Sequence, residues 1–362
     1  MRFEPFRYMA WAKENGQGRY GTSLAESGTR SVSAEELGLS ASDIELNGVD
    51  RYGPPALMES LARFLGVAPA NLVRASGTSL ANFLAYGALL DRGDEALVET
   101  PVYEALTGLP QFFGAGARTF ARGPRFEIDP DRVLAALSPR TRLVAISNLH
   151  NPSGVAAGDE ALRAIGREAE RRDFHVLVDE VYQDFAEGER MATAFRRLGP
   201  RFLATSSLTK VYGLGGLRIG WIAADEAIAR RAEKLMDYLS VVTAYPASVI
   251  ALAALRRIDA LRERALRVAR ENVAIVREFV ERNADRVEWV EPDGGIVAFL
   301  SLRNGIDGDA VSLRLRERHD TLVVPGSFFG APHGVRIGFG GKAETLRAGL
   351  ANLEAVLRDG VR

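Results

Sequence analysis

The stretch SSLTKVYGLGGLRIG, residues 206–220, holds the pattern on which the fold assignment depends. An apolar run at residues 202–206 precedes it and another at residues 219–223 follows it, and both runs are typical of buried strands. Lys210 stands just beyond the first run and Arg218 opens the second. A dinucleotide-binding G-x-G-x-x-G loop starting at Gly213 would need glycine where Arg218 stands, so that reading is excluded.

Lys210 and Arg218 have side chains suited to binding a ligand. A lysine at the edge of a buried sheet loses hydration, which lowers its pKa and frees the neutral amine for Schiff-base chemistry. Arginine supplies a planar fork that grips phosphate. Lysine is also rare in this chain, because 46 residues are basic and only positions 13, 210, 234 and 342 are lysine. Taken alone, the pair is still more typical of an ordinary surface loop.

An acidic residue ends another apolar run. Asp179 closes the predicted strand at residues 175–179, and Tyr182 follows three positions later. Ligand sites of open α/β sheets lie beyond the carboxyl ends of the strands, so Asp179 is placed for a functional role. The alternative is that it caps the following helix, as acids at strand ends commonly do.

Two turns complete the set of motifs. The NPSG turn at residues 151–154 follows a predicted strand at 143–147, and Asn151 is its first residue. Such a turn also occurs with no function at all. The run ASGTS at residues 75–79 opens a helical pattern, where free N–H groups and the positive end of the helix dipole form an anion site. A simple helix cap explains that run equally well.

Strand and helix patterns alternate through the middle of the chain and predict an α/β fold with a mostly parallel central sheet covered on both faces. Because 362 residues exceed the ~250–300 that one core supports, we expect a large domain and a smaller α+β domain. The boundaries follow a long helical pattern at 244–282 and shorter strand patterns after it. We predict an N-terminal arm and part of the small domain at 1–44, the large domain at 45–250, and a C-terminal small domain at 251–362.

The amino-acid composition limits the kinds of partner and the cell compartment that we expect for this chain. The net charge is −1, so no global field favours nucleic acid or an anionic membrane, and small ligands are the expected partners. The chain has no cysteine, which excludes disulfides and thiolate sites and favours a reducing compartment, here the cytoplasm. No apolar run is long enough for a membrane span, and the four histidines show no metal-ligand spacing, so we expect no metal and surface or loop positions for them.

The four motifs together, in this order, resemble the class I/II aminotransferases, which are fold-type I pyridoxal-phosphate enzymes. The resemblance covers about residues 52–336. It implies that Lys210 forms a Schiff base with pyridoxal 5′-phosphate and moves the proton at the substrate's α-carbon. Asp179 would pair with the pyridine nitrogen, and Tyr182 and Asn151 would hydrogen-bond the phenolic oxygen.

The resemblance assigns further contacts around the cofactor and the substrate. Tyr103 would stack on the pyridine ring, and Tyr52 would reach a phosphate across a subunit boundary, which implies a homodimer with shared active sites. Arg336, in the run GVRIGF at 334–339, would bind the substrate α-carboxylate, aided by Asn151 and Gly28. The segment containing Gly28 lacks the Pro-Asp pair usual in the family, which leaves side-chain selection open. The phosphate cradle would comprise Gly77, Thr78, Ser79, Ser207 and Arg218.

The resemblance implies transfer of an amino group from an L-amino acid to a 2-oxo acid. A lyase, a decarboxylase or a ring-forming enzyme on the same fold is the alternative, because the bond that breaks depends on which substituent stands perpendicular to the cofactor ring. A catalytically silent pyridoxal-binding module and a generic α/β binding domain are the remaining hypotheses.

Overall fold

A computed structural model of the chain describes residues 3–16 and 18–360. Its helices are α1 Arg7–Asn15, α2 Pro55–Leu65, α3 Thr78–Leu89, α4 Ala105–Gly108, α5 Pro130–Ala136, α6 Asp159–Arg172, α7 Ala194–Leu198, α8 Glu226–Leu239, α9 Tyr245–Leu255, α10 Ile258–Arg282, α11 Gly308–His319 and α12 Ala343–Arg358. Its strands are β1 Thr22–Ser23, β2 Leu72–Ser76, β3 Glu95–Thr100, β4 Gly116–Ala121, β5 Thr141–Ser147, β6 His175–Asp179, β7 Phe202–Ser207, β8 Ile219–Ala223, β9 Val287–Glu288, β10 Val297–Leu302, β11 Thr321–Leu322, β12 Val324–Pro325 and β13 Gly334–Gly338.

The central sheet has seven strands in the order β2-β8-β7-β6-β5-β3-β4. Strand β8 is antiparallel to both of its neighbours, and the other strands share one direction. The predicted mostly parallel α/β sheet is therefore confirmed. Because β8 runs against the rest, its first residues lie at the same edge as the carboxyl ends of the other strands.

Both faces of this sheet are covered, as the apolar runs predicted. Side chains that alternate along a strand enter different cores: Val144 packs with α5 and α6, and its neighbour Ala145 packs with α3 and α8. The Asp225 side chain accepts a hydrogen bond from the Ala227 N–H and caps α8.

The C-terminal part carries a separate antiparallel sheet in the order β12-β13-β10-β9. Near the other end of the chain, β1 pairs with β11, which brings the N-terminal segment beside the C-terminal part. The proposed boundaries at residues 44 and 250 stay predictions.

One expected element is wrong in detail. The single long helix predicted for 244–282 is two helices, α9 and α10, because Arg257 leaves helical geometry with φ −119° and ψ 15°. No helix within residues 3–16 and 18–360 is long and apolar enough to cross a membrane.

Candidate active site

A cavity of about 850 Å³ lies at the edge of the sheet where β5, β6 and β7 end and β8 begins. Parallel strands deliver their last residues to one edge, so residues far apart in sequence meet there. The register pairs Ser147 with Asp179 and Ser207 with Gly220. The predicted site residues that line the cavity are Thr78, Ser79, Tyr103, Asn151, Asp179, Tyr182, Ser207, Lys210, Arg218 and Arg336.

Lys210 follows β7 and places its amine in this cavity. Its Nζ donates a hydrogen bond to Ser27 Oγ over 2.8 Å. Loss of hydration lowers the pKa of Lys210 from its ordinary value. A larger share of the amine is therefore neutral and nucleophilic near neutral pH than for a lysine in water.

Asp179 ends β6 and is buried. Burial raises the pKa of its carboxyl to about 6, and the hydrogen bonds it accepts from Asn82 and from the backbone of Val181 oppose that rise. The Asn82 Nδ2–Asp179 Oδ2 distance is 2.8 Å. A buried carboxylate at this edge can bind a cationic ring nitrogen.

Asn151 and Tyr182 are both buried beside Asp179 in the cavity wall. Tyr182 donates its hydroxyl proton to the Ser27 carbonyl over 2.9 Å, and burial raises its pKa, so the phenol stays protonated. The buried Oδ1 of Asn151 has no hydrogen-bond partner within the described residues. Because this oxygen is an acceptor, it can accept a hydrogen bond from a ligand group such as a hydroxyl.

The N-terminus of α3 and the start of β8 form a cradle for an anion. Thr78 Oγ1 donates to Ser207 Oγ over 2.9 Å, and the exposed Arg218 adopts a left-handed conformation with φ 54°. A Cβ atom added to Gly77 would lie 2.2 Å from Arg218 Nη2, so any other residue at position 77 would displace the guanidinium. A phosphate can be bound here by hydroxyl groups, a guanidinium and the free N–H groups of a helix start.

A Gly77→Ala variant is expected to bind the phosphate-bearing ligand at least tenfold more weakly. Gly77 has φ 81° and ψ 171°, a region open to glycine alone, so a side chain there costs about 1–3 kcal/mol of strain and also displaces Arg218. Fluorescence titration with pyridoxal phosphate measures the effect. The control is Gly216→Ala, whose added Cβ meets nothing within 4 Å. Equal affinities of the two variants would contradict the cradle.

Arg336 lies in the middle of β13 and is fully buried. Its Nη2 donates to the Ala25 carbonyl over 2.6 Å and to Tyr8 Oη over 3.2 Å, and its guanidinium lies 5.5 Å from the centre of the Phe329 ring. Its Nε has no partner within the described residues. The guanidinium is thus held in place with a donor still free for a carboxylate.

Besides Gly77, which directly precedes the lining residue Thr78, two predicted residues lie outside the main cavity. Tyr52 is half-buried at the surface, where its hydroxyl accepts from Lys234 Nζ over 2.6 Å and donates to Asp237 over 3.3 Å. Gly28 lines a second cavity of about 250 Å³ and is a close neighbour of Lys210. The roles predicted for both residues remain predictions.

The cavity lining also includes residues that the sequence analysis did not select, among them Tyr8, Ser27 and Asn82. Asn82 follows Thr78 by one helical turn, and this spacing could have identified it. Ser27 adjoins Gly28 in a segment chosen for its glycine. Tyr8 lies on α1, which nothing in the sequence connected with the sheet edge.

His150 lies in the loop after β5, which agrees with the expected surface or loop position, but it is not on the surface. His150 is fully buried, with Nδ1 2.6 Å from Ser153 Oγ and Nε2 2.7 Å from the Pro101 carbonyl. Burial holds its pKa well below the ordinary value, so the ring is neutral. No group of three potential metal-ligating side chains occurs in the described part of the chain.

Comparison with known proteins gives consistent results. The family model for aminotransferase class I and II matches residues 21–353. Capreomycidine synthase of Streptomyces vinaceus is 32% identical over 308 residues, which cover 84% of this chain and 79% of that protein. A PLP-dependent aminotransferase structure from Streptococcus suis superimposes with a TM-score of 0.91 at 26% identity over 99% of each chain. The PLP-dependent cyclase OrfR superimposes with a TM-score of 0.89 at 28% identity, covering 99% of this chain and 98% of that one.

Proposed function

The chain belongs to the class I and II aminotransferase family and is a pyridoxal-phosphate-dependent aminotransferase, and we propose the following roles for its residues. One observation carries the proposal: the amine of Lys210, the buried carboxyl of Asp179 and the buried guanidinium of Arg336 line one cavity. These are the groups needed to hold the cofactor, its ring nitrogen and an amino-acid carboxylate.

The residues of the cavity fit the cofactor. The unpartnered Asn151 Oδ1 and the space kept free at Gly77 are the structural signs of that fit. Thr78, Ser207 and Arg218 would hold its phosphate. Asp179 would bind the pyridine nitrogen, Asn151 and Tyr182 the phenolic oxygen, and Tyr103 would lie against the ring. When bound, pyridoxal phosphate supplies an electron sink for the electron pair left on the substrate's α-carbon.

The protein's own groups position the substrate and move its proton. Arg336 binds the α-carboxylate through its fork and so fixes the orientation of the Cα–H bond. The Lys210 amine removes the α-proton and returns it, which a lysine of lowered pKa does efficiently near neutral pH. Ser27, bonded to both Lys210 and Tyr182, holds these two groups together.

A substrate panel tests the reaction. Purified enzyme loaded with pyridoxal phosphate is mixed with each of the common L-amino acids and with 2-oxoglutarate or pyruvate as acceptor. A paired appearance of a new 2-oxo acid and a new amino acid supports transamination. Release of ammonia or carbon dioxide without consumption of the acceptor would instead indicate the lyase or decarboxylase alternative.

A ring-forming reaction at the same site is the second candidate. Two similar proteins are named as a synthase and a cyclase rather than as aminotransferases. Mass spectrometry separates this candidate from transamination, because a ring-forming enzyme consumes its amino acid with no acceptor present and yields a product that keeps the α-nitrogen.

The affinity for pyridoxal phosphate is expected to fall as pH drops through 6. Burial raises the pKa of Asp179 to about 6, so the carboxylate that pairs with a protonated ring nitrogen is lost below that pH. Affinity should then fall roughly tenfold per pH unit. Fluorescence titration of the apoprotein between pH 5 and 8 measures it. In Asp179→Asn the affinity should be weak and this pH dependence absent. An unchanged profile in that variant would contradict the pairing.

We further propose a homodimer whose active sites include Tyr52 of the neighbouring subunit. An exposed apolar patch lies near Tyr52 and consists of Leu46, Val49, Tyr238, Val241 and Val242. The patch comes from two segments of the chain, which a hydrogen bond between Thr243 Oγ1 and Asp50 joins. Exposed apolar patches of this kind are typical of subunit interfaces.

Sedimentation equilibrium tests the dimer. The expected mass is twice the 39.3 kDa of one chain. The double variant Val241→Asp, Val242→Asp should sediment as a monomer, whereas Leu313→Asp, at another exposed apolar residue, should not change the mass. A monomeric wild-type protein would refute the proposal.

A further inference from the structure

A chain of two buried hydrogen bonds leads from β7 to Asp179. Thr205 Oγ1 donates to Asn82 Oδ1 over 2.6 Å, and Asn82 Nδ2 donates to Asp179 Oδ2 over 2.8 Å. Thr205 is fully buried and Asn82 is 3% exposed, so water does not compete strongly for either bond. The other carboxylate oxygen, Oδ1, accepts from the Val181 N–H over 3.1 Å.

The carboxylate decides which end of the amide faces it, and the threonine holds the other end. An asparagine side chain presents an acceptor oxygen at one end and a donor NH₂ at the other. Because an ionised carboxylate only accepts, the NH₂ faces Asp179, and the amide oxygen then faces the Thr205 hydroxyl, which donates to it. Without that hydroxyl the buried amide oxygen loses its partner, so the amide is held less firmly in the orientation that donates to Asp179.

We propose that Asn82, oriented by the hydroxyl of Thr205, is a positioning residue that keeps the Asp179 carboxylate ionised and aimed into the cavity. Asn82 stands on α3, one turn beyond Thr78, so one helix supports both the proposed phosphate cradle and the partner of the ring nitrogen. The inference rests on the role proposed above for Asp179 and assigns to Asn82 a role that no motif indicated.

Several other groups act on the same carboxyl. Glu99 on β3 raises the pKa of Asp179, and Lys210 beyond β7 lowers it. Arg122 forms a buried ion pair with Glu99 at 2.8 Å, which moderates the effect of that acid. The other titratable groups that interact with Asp179 are Tyr86, Tyr103, Glu180 and Tyr182. All of these groups stay in place when Asn82 or Thr205 is replaced, so a changed titration reports the loss of the hydrogen bond.

The test titrates Asp179 in the apoprotein. Carbon-13 NMR of protein labelled at the aspartate carboxyls follows that group, and its signal is assigned with Asp179→Asn. Asn82→Leu is expected to raise the pKa of Asp179 by at least one unit, a tenfold change in the protonation equilibrium, since a hydrogen bond to a charged group is lost. Thr205→Val should raise it by a smaller amount, and Thr205→Ser should restore the wild-type value. The affinity for pyridoxal phosphate at pH 7 should follow the same order.

Controls separate this role from a general loss of packing. Thr141→Val removes a buried hydroxyl at the opposite end of β5 and should leave the titration of Asp179 unchanged. Thr205→Val keeps the side-chain volume, so this variant still tests the inference if Asn82→Leu does not fold. The inference would be overturned if the pKa of Asp179 were the same in wild type and in Thr205→Val. It would also be overturned if Thr141→Val raised that pKa as much as Thr205→Val does. Failure of the wild-type protein to bind pyridoxal phosphate would overturn the proposed function instead.

Discussion

Replacing Lys210 by alanine is expected to reduce turnover by about 10³-fold or more, because a positioned group that transfers the α-proton contributes on this order. The cavity otherwise keeps its shape, so the variant should still bind pyridoxal phosphate through the cradle. Borohydride treatment should fix the cofactor to wild-type protein at Lys210, as peptide mapping would show, and should fix none to the variant.

The matched control is Lys342→Ala, since Lys342 is exposed and lies outside the main cavity. Its activity and borohydride labelling should equal those of the wild type. Wild-type turnover in the Lys210 variant, or labelling at another lysine, would refute the role of Lys210 and with it the proposed mechanism.

Replacing Arg336 by glutamine is expected to lower kcat/KM for the amino acid by roughly a hundredfold. The fork of a buried arginine makes charge-assisted hydrogen bonds to a carboxylate, and their loss costs about 3 kcal/mol. Steady-state kinetics with the best donor from the panel measures the effect. Arg336→Lys keeps the charge but not the fork, so it should recover only part of the loss.

A second readout separates substrate binding from general damage. Arg336 also bonds the Ala25 carbonyl, so its loss can loosen the segment that precedes Ser27. Affinity for pyridoxal phosphate should nevertheless stay near the wild-type value if Arg336 serves the substrate alone. Arg303→Gln removes an arginine just beyond β10 that forms an exposed ion pair with Glu288, and it should leave kcat/KM unchanged. An unaltered kcat/KM in the Arg336→Gln variant would exclude the carboxylate clamp.

Residues at strand ends were the part of the site that the sequence predicted best. Asp179, Lys210 and Asn151 each follow an apolar run, and runs of this kind are strands in a parallel sheet whose ends share one edge. The bounds predicted for β6 and β8 agree with the structure. Arg218 reaches the same edge for a different reason, because β8 is antiparallel and presents its first residues there. The sequence contained no signal for that reversal.

Residues brought in by chain segments distant in sequence were missed. Ser27 reaches Lys210 because β1 pairs with β11, a pairing of two residues on each side that leaves no periodic pattern. Tyr8 contacts Arg336 across 328 positions of the chain, and no local spacing encodes such a contact. In the sequence Asn82 is an ordinary polar residue of an apolar helix, because its partners Thr205 and Asp179 lie far from it along the chain.

The amino-acid sequence by itself determined the alternating strands and helices and the sheet edge at which the predicted site residues meet. It could do so because local periodicity and turn chemistry depend on neighbouring residues alone. Tertiary structure alone decided which hydroxyl holds the lysine amine, which amide orients the buried acid, and which donor of Arg336 stays free. Those contacts depend on where distant segments pack and on how much water they exclude.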